Sequence, residues 1–124
     1  KLYVTKTSTI FVAHHNEDGS DAALQYQAGD DHAQGTGFQD LMAYGDQDDD
    51  ADHSLNGCLH IFSPSDTTFI KCFMAHSQGN ISNNYSVNSF ISGYFNDTND
   101  IDAIRFQMTS GTIDSGTISL YGIS

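Results

Sequence analysis

Hydrophobic and polar residues alternate along much of this chain with a period of two, unlike the roughly 3.6-residue period of an amphipathic helix. In the run 22–28, Ala, Leu, Tyr and Ala occupy alternate positions, and Gln25 and Gln27 lie between them. Such alternation predicts β-strands that bury one face. It predicts seven or eight strands in all, at 9–14, 22–28, 38–44, 58–62, 69–76, 85–94, 102–108 and 117–123.

Turn-forming residues separate these segments. Gly, Pro, Asn, Asp and Ser gather at 16–19, 28–31, 63–66, 96–100 and 110–112. No segment has the pattern of an amphipathic helix, and no repeat or linker divides the chain. Short strands separated by frequent turns predict an all-β sandwich or barrel. With 124 residues, the chain is expected to fold as one domain over 1–124.

The excess of acidic residues argues against two classes of binding partner. The chain has 16 acidic and four basic residues, a formal net charge of −12. So few basic residues argue against direct binding to nucleic acid or to an anionic membrane surface. No apolar run reaches the length of about 18 residues that a membrane-spanning helix needs. The chain begins with Lys1 and not Met, so we expect either a removed upstream segment or a longer polypeptide.

The C-terminal half carries an ordered set of motifs. They are Ser92-Gly93-Tyr94, Ile101-Asp102-Ala103-Ile104-Arg105-Phe106, Thr109-Ser110-Gly111, Ser115-Gly116 and Ile118-Ser119-Leu120-Tyr121-Gly122-Ile123. This order resembles the end of a domain common in bacteriophage virion proteins. There, a Gly-Xaa-aromatic strand leads to an I-x-x-I-x-F strand, an S-G turn and a closing S-G-T-x-x-L-Y-G-I strand. The run 59–65, with Thr67, Thr68 and Lys71, resembles the middle hairpin of that domain, so the likeness spans about 58–124.

The resemblance implies a jelly-roll-like antiparallel β-sandwich of about eight strands. It also implies a virion-surface structural protein, either a capsid decoration or a domain of a tail fibre or spike, assembled in the host cytoplasm and contributing to host attachment. Such proteins are frequently trimers and contact other virion proteins. The residues indicate no enzyme: nucleophile motifs are absent, and no spacing sets two carboxylates at a defined separation.

An acidic run is the candidate metal site. Asp46, Asp48, Asp50 and Asp52 alternate as in calcium-binding loops, and a hard cation would relieve the repulsion between their carboxylates. The EF-hand spacing fails, because Ala51 occupies the position of the required glycine. A calcium site of different geometry and a plainly solvated acidic loop are the two interpretations.

Tyrosines provide the alternative function. Tyr26, Tyr44, Tyr85 and Tyr94 alternate with polar residues, and exposed tyrosines on a sheet can stack on sugar rings. With the acidic run, they suggest a calcium-assisted, lectin-like module that binds host-surface glycans. The simpler interpretation makes them residues at the edge of the core whose hydroxyl groups reach water.

Histidines and cysteines leave further alternatives open. No close spacing suggests a metal site among the six histidines, and on a strand His14 and His15 would point to opposite faces. A loop of three residues at 64–66 would set Cys58 opposite Cys72, whereas a longer loop changes the register. A disulfide is then one hypothesis, and two buried free thiols in a reducing cytosol are the other.

Overall fold

Five antiparallel strands form a single sheet in the part of the chain that the structure describes. The structure is a computed structural model, and it describes residues 3–45 and 52–123. The strands are β1 (Lys6–Asn16), β2 (Ala22–Tyr26), β3 (Leu55–Ile61), β4 (Lys71–Ile81) and β5 (Tyr85–Phe95). Their order across the sheet is β2-β1-β5-β4-β3. The all-β class is therefore confirmed. The first and last strands, β1 and β5, pair at the centre of the sheet, and β2 and β3 are its two edges.

Four connections join the five strands: short hairpins between β1 and β2 and between β4 and β5, a connection at 62–70 between β3 and β4, and a long one at 27–54 between β2 and β3. The hairpin between β4 and β5 turns through Ser82–Asn84, where Asn83 and Asn84 have positive φ angles of 61° and 58°. Asparagine tolerates this left-handed region better than most residues, because its short side chain can bond locally. This 3-10 turn is the only helical element described, and it cannot cross a membrane.

One face of the sheet is buried, and we call it the covered face. Alternate residues of β1 from Lys6 to His14, and of β4 from Lys71 to Ile81, are buried without exception. The core consists of Ile10, Val12, Ala43, Phe73, Ala75, Ile81, Val87 and Ile91. The predicted burial of one strand face is thus confirmed in β1 and β4. It is wrong for the apolar stripe at 22–28, where Leu24 is 71% and Tyr26 53% exposed.

The segment 38–45 covers this core and is not a strand, so the predicted strand at 38–44 is wrong. Ala43 is 2% exposed, and its backbone N–H donates a hydrogen bond to Ser89 Oγ at 3.1 Å. Tyr44 has a positive φ of 70°, which extended strands do not contain. The apolar residues of this segment pack across the sheet and make no ladder with it, so alternation alone gave a misleading signal.

Two buried lysines fasten loops to one end of the covered face. Lys71 is 1% exposed, and its Nζ donates to the carbonyl oxygens of Thr98 at 2.9 Å and Asn99 at 2.7 Å. Lys6 Nζ donates to the carbonyl oxygen of Gly37, and burial lowers the pKa of Lys6. These two basic residues therefore serve internal contacts, where carbonyl oxygens accept hydrogen bonds from their ammonium groups.

Residues 101–123 contain no described strand, so the strands predicted at 102–108 and 117–123 are not formed. Their alternation is real, but a strand also needs a neighbour for its backbone hydrogen bonds. The expected sandwich of about eight strands is thus one five-stranded sheet here.

Gly93 offers a test of the packing between β1, β4 and β5. A Cβ atom at this position would lie 2.5 Å from the carbonyl oxygen of Thr7 and 2.8 Å from Phe73 Cζ. We predict that Gly93→Ala lowers the free energy of unfolding by about 1–3 kcal/mol, because the strands must separate to admit the methyl group. Gly29→Ala is the matched control, since its added methyl group meets no atom within 4 Å. Equal urea midpoints for the two variants would contradict this account.

Candidate functional site

The second face of the sheet is exposed, and we call it the open face. It consists of alternate positions at 7–15 in β1, 22–26 in β2, 56–60 in β3, 72–80 in β4 and 86–94 in β5. The large apolar side chains on it remain solvent-accessible, and Met74 is 49% exposed. A sheet that buries one face normally turns polar residues outward on the other, so exposed apolar side chains here mark a candidate interaction surface.

A row of side chains crosses the open face from edge to edge. The register places Tyr26, Phe11, Phe90, His76 and Cys58 in line, one from each strand. The Phe11 and Phe90 rings stack with centroids 5.0 Å apart, and the His76 ring stacks on Phe90 at 4.5 Å. Beside this row lies a groove of about 390 Å³ that Met74 and His60 help to line. The stacking holds the rings in place and leaves their outer surfaces free for a partner.

The open face carries no Asp, Glu, Lys or Arg at any of its strand positions, although the chain has a net charge of −12. The strongly acidic parts of the sequence lie in turns and loops, such as 16–21 and 96–102. Exclusion of charge from a patch rich in aromatic residues is typical of the centre of a protein–protein interface. The open face therefore has the composition of a binding surface.

Both cysteines lie on the open face as exposed free thiols. The β3–β4 register pairs Cys58 with His76, and the backbone N–H of Phe62 bonds to the carbonyl of Cys72. Cys58 and Cys72 are thus four residues apart along the strands, about 13 Å, which exceeds the reach of a disulfide. The predicted three-residue loop is replaced by a longer connection, so the disulfide hypothesis is wrong, as is the expectation that the thiols are buried.

The four candidate tyrosines separate into two groups. Tyr26 and Tyr94 belong to the open face, and the Tyr26 hydroxyl donates to Asp31. Tyr44 and Tyr85 lie on the covered side and direct their hydroxyl groups to one carboxylate. Two of the four predicted sugar-stacking residues thus lie on the open face, and of these Tyr26 is 53% exposed whereas Tyr94 is half-buried.

Tyr44, Tyr85, His14 and Asp21 form a compact cluster, which we call the tyrosine clasp. Asp21 Oδ2 accepts hydrogen bonds from Tyr44 Oη at 3.1 Å and Tyr85 Oη at 2.9 Å, and it lies 3.3 Å from His14 Nε2. The rings of His14 and Tyr44 stack with centroids 3.8 Å apart. The clasp ties the covering segment 38–45 to β1, β5 and the turn before β2.

The hydrogen bonds of the clasp stabilise the ionised carboxylate of Asp21 and the protonated hydroxyl groups of the two tyrosines. The Tyr85 and Tyr44 hydroxyls hold the pKa of Asp21 below its ordinary value, the Tyr85 bond being the larger cause. The same bond raises the pKa of Tyr85 to about 12, and burial raises that of Tyr44. Both phenols therefore remain protonated at neutral pH and act as hydrogen-bond donors.

The remaining candidate groups are spread over the molecule. His14 is buried on the covered face and His15 is exposed on the other, which confirms the prediction of opposite faces. Within residues 3–45 and 52–123, no three His, Cys, Asp or Glu side chains converge to form a metal site. Asp52 is exposed, and Asp46, Asp48 and Asp50 lie outside the described residues, so calcium binding there stays a prediction.

Comparison with known proteins gives no further constraint. No protein-family model, no curated protein and no solved structure matches this chain.

Two features were not found from the sequence. Phe11 lies between Ile10 and Val12, and Phe90 is followed by Ile91, so neither ring stands out from its apolar run. Their alignment depends on the register between β1 and β5. Asp21 is one aspartate among many, and its role depends on contacts with the distant Tyr85. The sequence of β5 could have predicted the open face. Apolar residues occur there at both odd and even positions, which indicates that both faces of the strand are apolar.

The clasp predicts a defined pH dependence. The pKa of Asp21 is depressed in the folded state, so its contribution to stability is present above the ordinary aspartate pKa of about 3.9 and is lost as the pH falls further. We expect wild type to have a higher urea midpoint than Asp21→Asn at neutral pH, with the difference shrinking below about pH 4. Asp114→Asn, at an exposed position, is the charge-matched control. A difference independent of pH would contradict this role.

Proposed function

We propose that this chain is a structural protein on the surface of a bacteriophage particle, either a capsid decoration or a domain of a tail fibre or spike. The role is assembly and, in a fibre, host attachment, without catalysis. The observation that carries the proposal is that one chain leaves two apolar surfaces exposed at once, namely the open face and residues 101–123. In the latter, Leu120 is 90% exposed and Ile123 is 92% exposed. A chain with these surfaces gains stability from binding other chains.

The sequence motifs and the charge distribution support the same function. The likeness to virion proteins falls on 58–124, which includes both β4 and β5 and the exposed C-terminal residues. A high negative charge outside the open face keeps assembled particles apart in solution. We propose that residues 102–108 and 117–123 become strands on assembly, so that the jelly-roll-like sandwich and the trimer form together.

Purified particles test the proposal. If the chain is a virion component, its peptides co-sediment with gradient-purified phage particles, and gold-labelled antibodies against it decorate one region of them. The copy number per particle, measured by quantitative mass spectrometry, is expected to be a multiple of three. A host cytoplasmic protein measured in the same gradient is the control. Recovery of the chain only in the soluble lysate, away from the particles, would overturn the proposal.

Glycan binding is the second candidate, and the exposed aromatic row favours it. Tyr26 and Phe11 present ring surfaces at one edge of the open face, where a sugar ring can stack. Binding on a glycan array that disappears in EDTA would support the calcium-assisted form and direct attention to Asp46–Asp52. Binding that survives EDTA and is abolished by Tyr26→Ala would place the sugar on the sheet and leave the acidic run as a solvated loop.

A further inference from the structure

The C-terminal segment 101–123, which we call the arm, has apolar side chains and backbone groups without a packed environment. Its start is anchored, since the Ile101 N–H donates to the carbonyl of Pro64 at 2.8 Å. Beyond this point the arm forms no strand, and nearly all of its residues are exposed. Its large apolar side chains, in order, are Ile104, Phe106, Ile113, Ile118, Leu120, Tyr121 and Ile123.

The arm starts on the side of the sheet opposite the open face. The Arg105 guanidinium lies 5.5 Å from the centre of the Phe38 ring. Phe38 follows Gly37, whose carbonyl accepts a hydrogen bond from Lys6, a residue of the covered face. With the arm present, Met74 is 49% and Phe11 43% exposed, so the arm leaves these side chains of its own open face uncovered.

We propose that the arm of one copy binds across the open face of a second copy of this chain. Each copy offers one arm and one face, so the exchange can satisfy every chain of a closed oligomer. This inference rests on the proposed assembly role and names the surfaces that carry it.

Charge favours a second copy as the occupant. The open face has no Asp, Glu, Lys or Arg, and the arm has only Asp102, Arg105 and Asp114, a net charge of −1 from two acids and one base. Two chains of net charge −12 repel each other over most of their surfaces. The arm and the open face are where that repulsion is weakest, so contact between copies is directed there.

The area of the open face and the residue pattern of the arm also fit this interface. The five strands are 5–11 residues long. With a spacing of about 4.8 Å and a rise of about 3.3 Å per residue, they give a face of roughly 700 Å², close to the roughly 800 Å² per partner of a standard interface. Within the arm, Ile104 and Phe106 alternate with polar residues, as do Ile118 and Leu120. A hairpin of these two stretches would present one apolar side to the face. Such a hairpin is marginal by itself in water, which explains why the arm needs a partner to form it.

Two full-length variants test the contribution of the arm and that of the open face independently. Leu120→Asp puts a charge on the arm at a residue that packs against nothing in its own chain, and Met74→Asp puts one on the open face. We expect each to weaken oligomerisation roughly 100-fold, because a buried unpaired charge costs several kcal/mol. Ser119→Asp is the matched control, since it adds the same charge to the polar side of the arm. Light scattering over a dilution series gives the oligomer mass.

The native thiol of Cys58 reports whether the face is covered. Cys58 is exposed in the isolated chain, so maleimide labelling is expected to be slow in the wild-type oligomer and fast in either variant. In an equimolar mixture of Leu120→Asp and Met74→Asp chains, the intact Met74→Asp arm can cover the intact Leu120→Asp face. Intact mass distinguishes the two chains, and labelling is expected to slow on the Leu120→Asp chain alone.

Each outcome decides the inference. If mixing the two variants restores slow labelling of Cys58 on the Leu120→Asp chain, exchange between copies is supported. If mixing changes nothing, the inference is overturned, because an arm that covers its own face cannot complement another chain. The inference is also overturned if the wild-type chain is monomeric and its Cys58 is labelled quickly. It is overturned likewise if Ser119→Asp weakens oligomerisation as much as Leu120→Asp does. Co-sedimentation with particles is measured independently, so failure of arm exchange and failure of the virion role remain distinguishable.

Discussion

The structure depends on one constraint: a sheet with two apolar faces has one covering layer among the residues described. Residues 38–45 pack over β1, β4 and β5 and bury Ile10 and Val12 completely. An apolar sheet face is stable only when another layer packs on it. The aromatic row around Phe90 has no such layer within the chain, and the arm has no such sheet. Both features are the basis of the proposal that assembly completes the layers.

Repulsion between negative charges disfavours contact between most surfaces of two copies of this chain. Among the residues described, the acidic side chains lie outside the five strands, and the open face has no Asp, Glu, Lys or Arg. The lysines Lys6 and Lys71 are withdrawn from the surface to hold loop carbonyls. What remains outside is mostly negative, so association between copies is disfavoured except through uncharged surfaces. Charge thus restricts orientation, while apolar burial supplies the free energy.

The tyrosine clasp shows how an irregular segment can be fixed as firmly as a strand. Residues 38–45 have no ladder to hold them, yet Tyr44 stacks on the buried His14 ring and bonds to Asp21. Tyr85 donates to the same carboxylate, so one acid joins the segment to β5. The positive φ of Tyr44 costs backbone energy that these contacts offset. A covered face and a defined open face depend on this attachment.

The sequence by itself determined the strands of the sheet, because alternation is a local property of a pleated backbone. It located all five strands at least in part and separated His14 from His15. It did not determine that 38–44, 102–108 and 117–123 remain without ladders, nor that Cys58 faces His76 and not Cys72. Strand pairing, register and the choice of covering layer join residues far apart in the chain. Only the tertiary structure therefore decided which apolar stripes were buried and which were exposed.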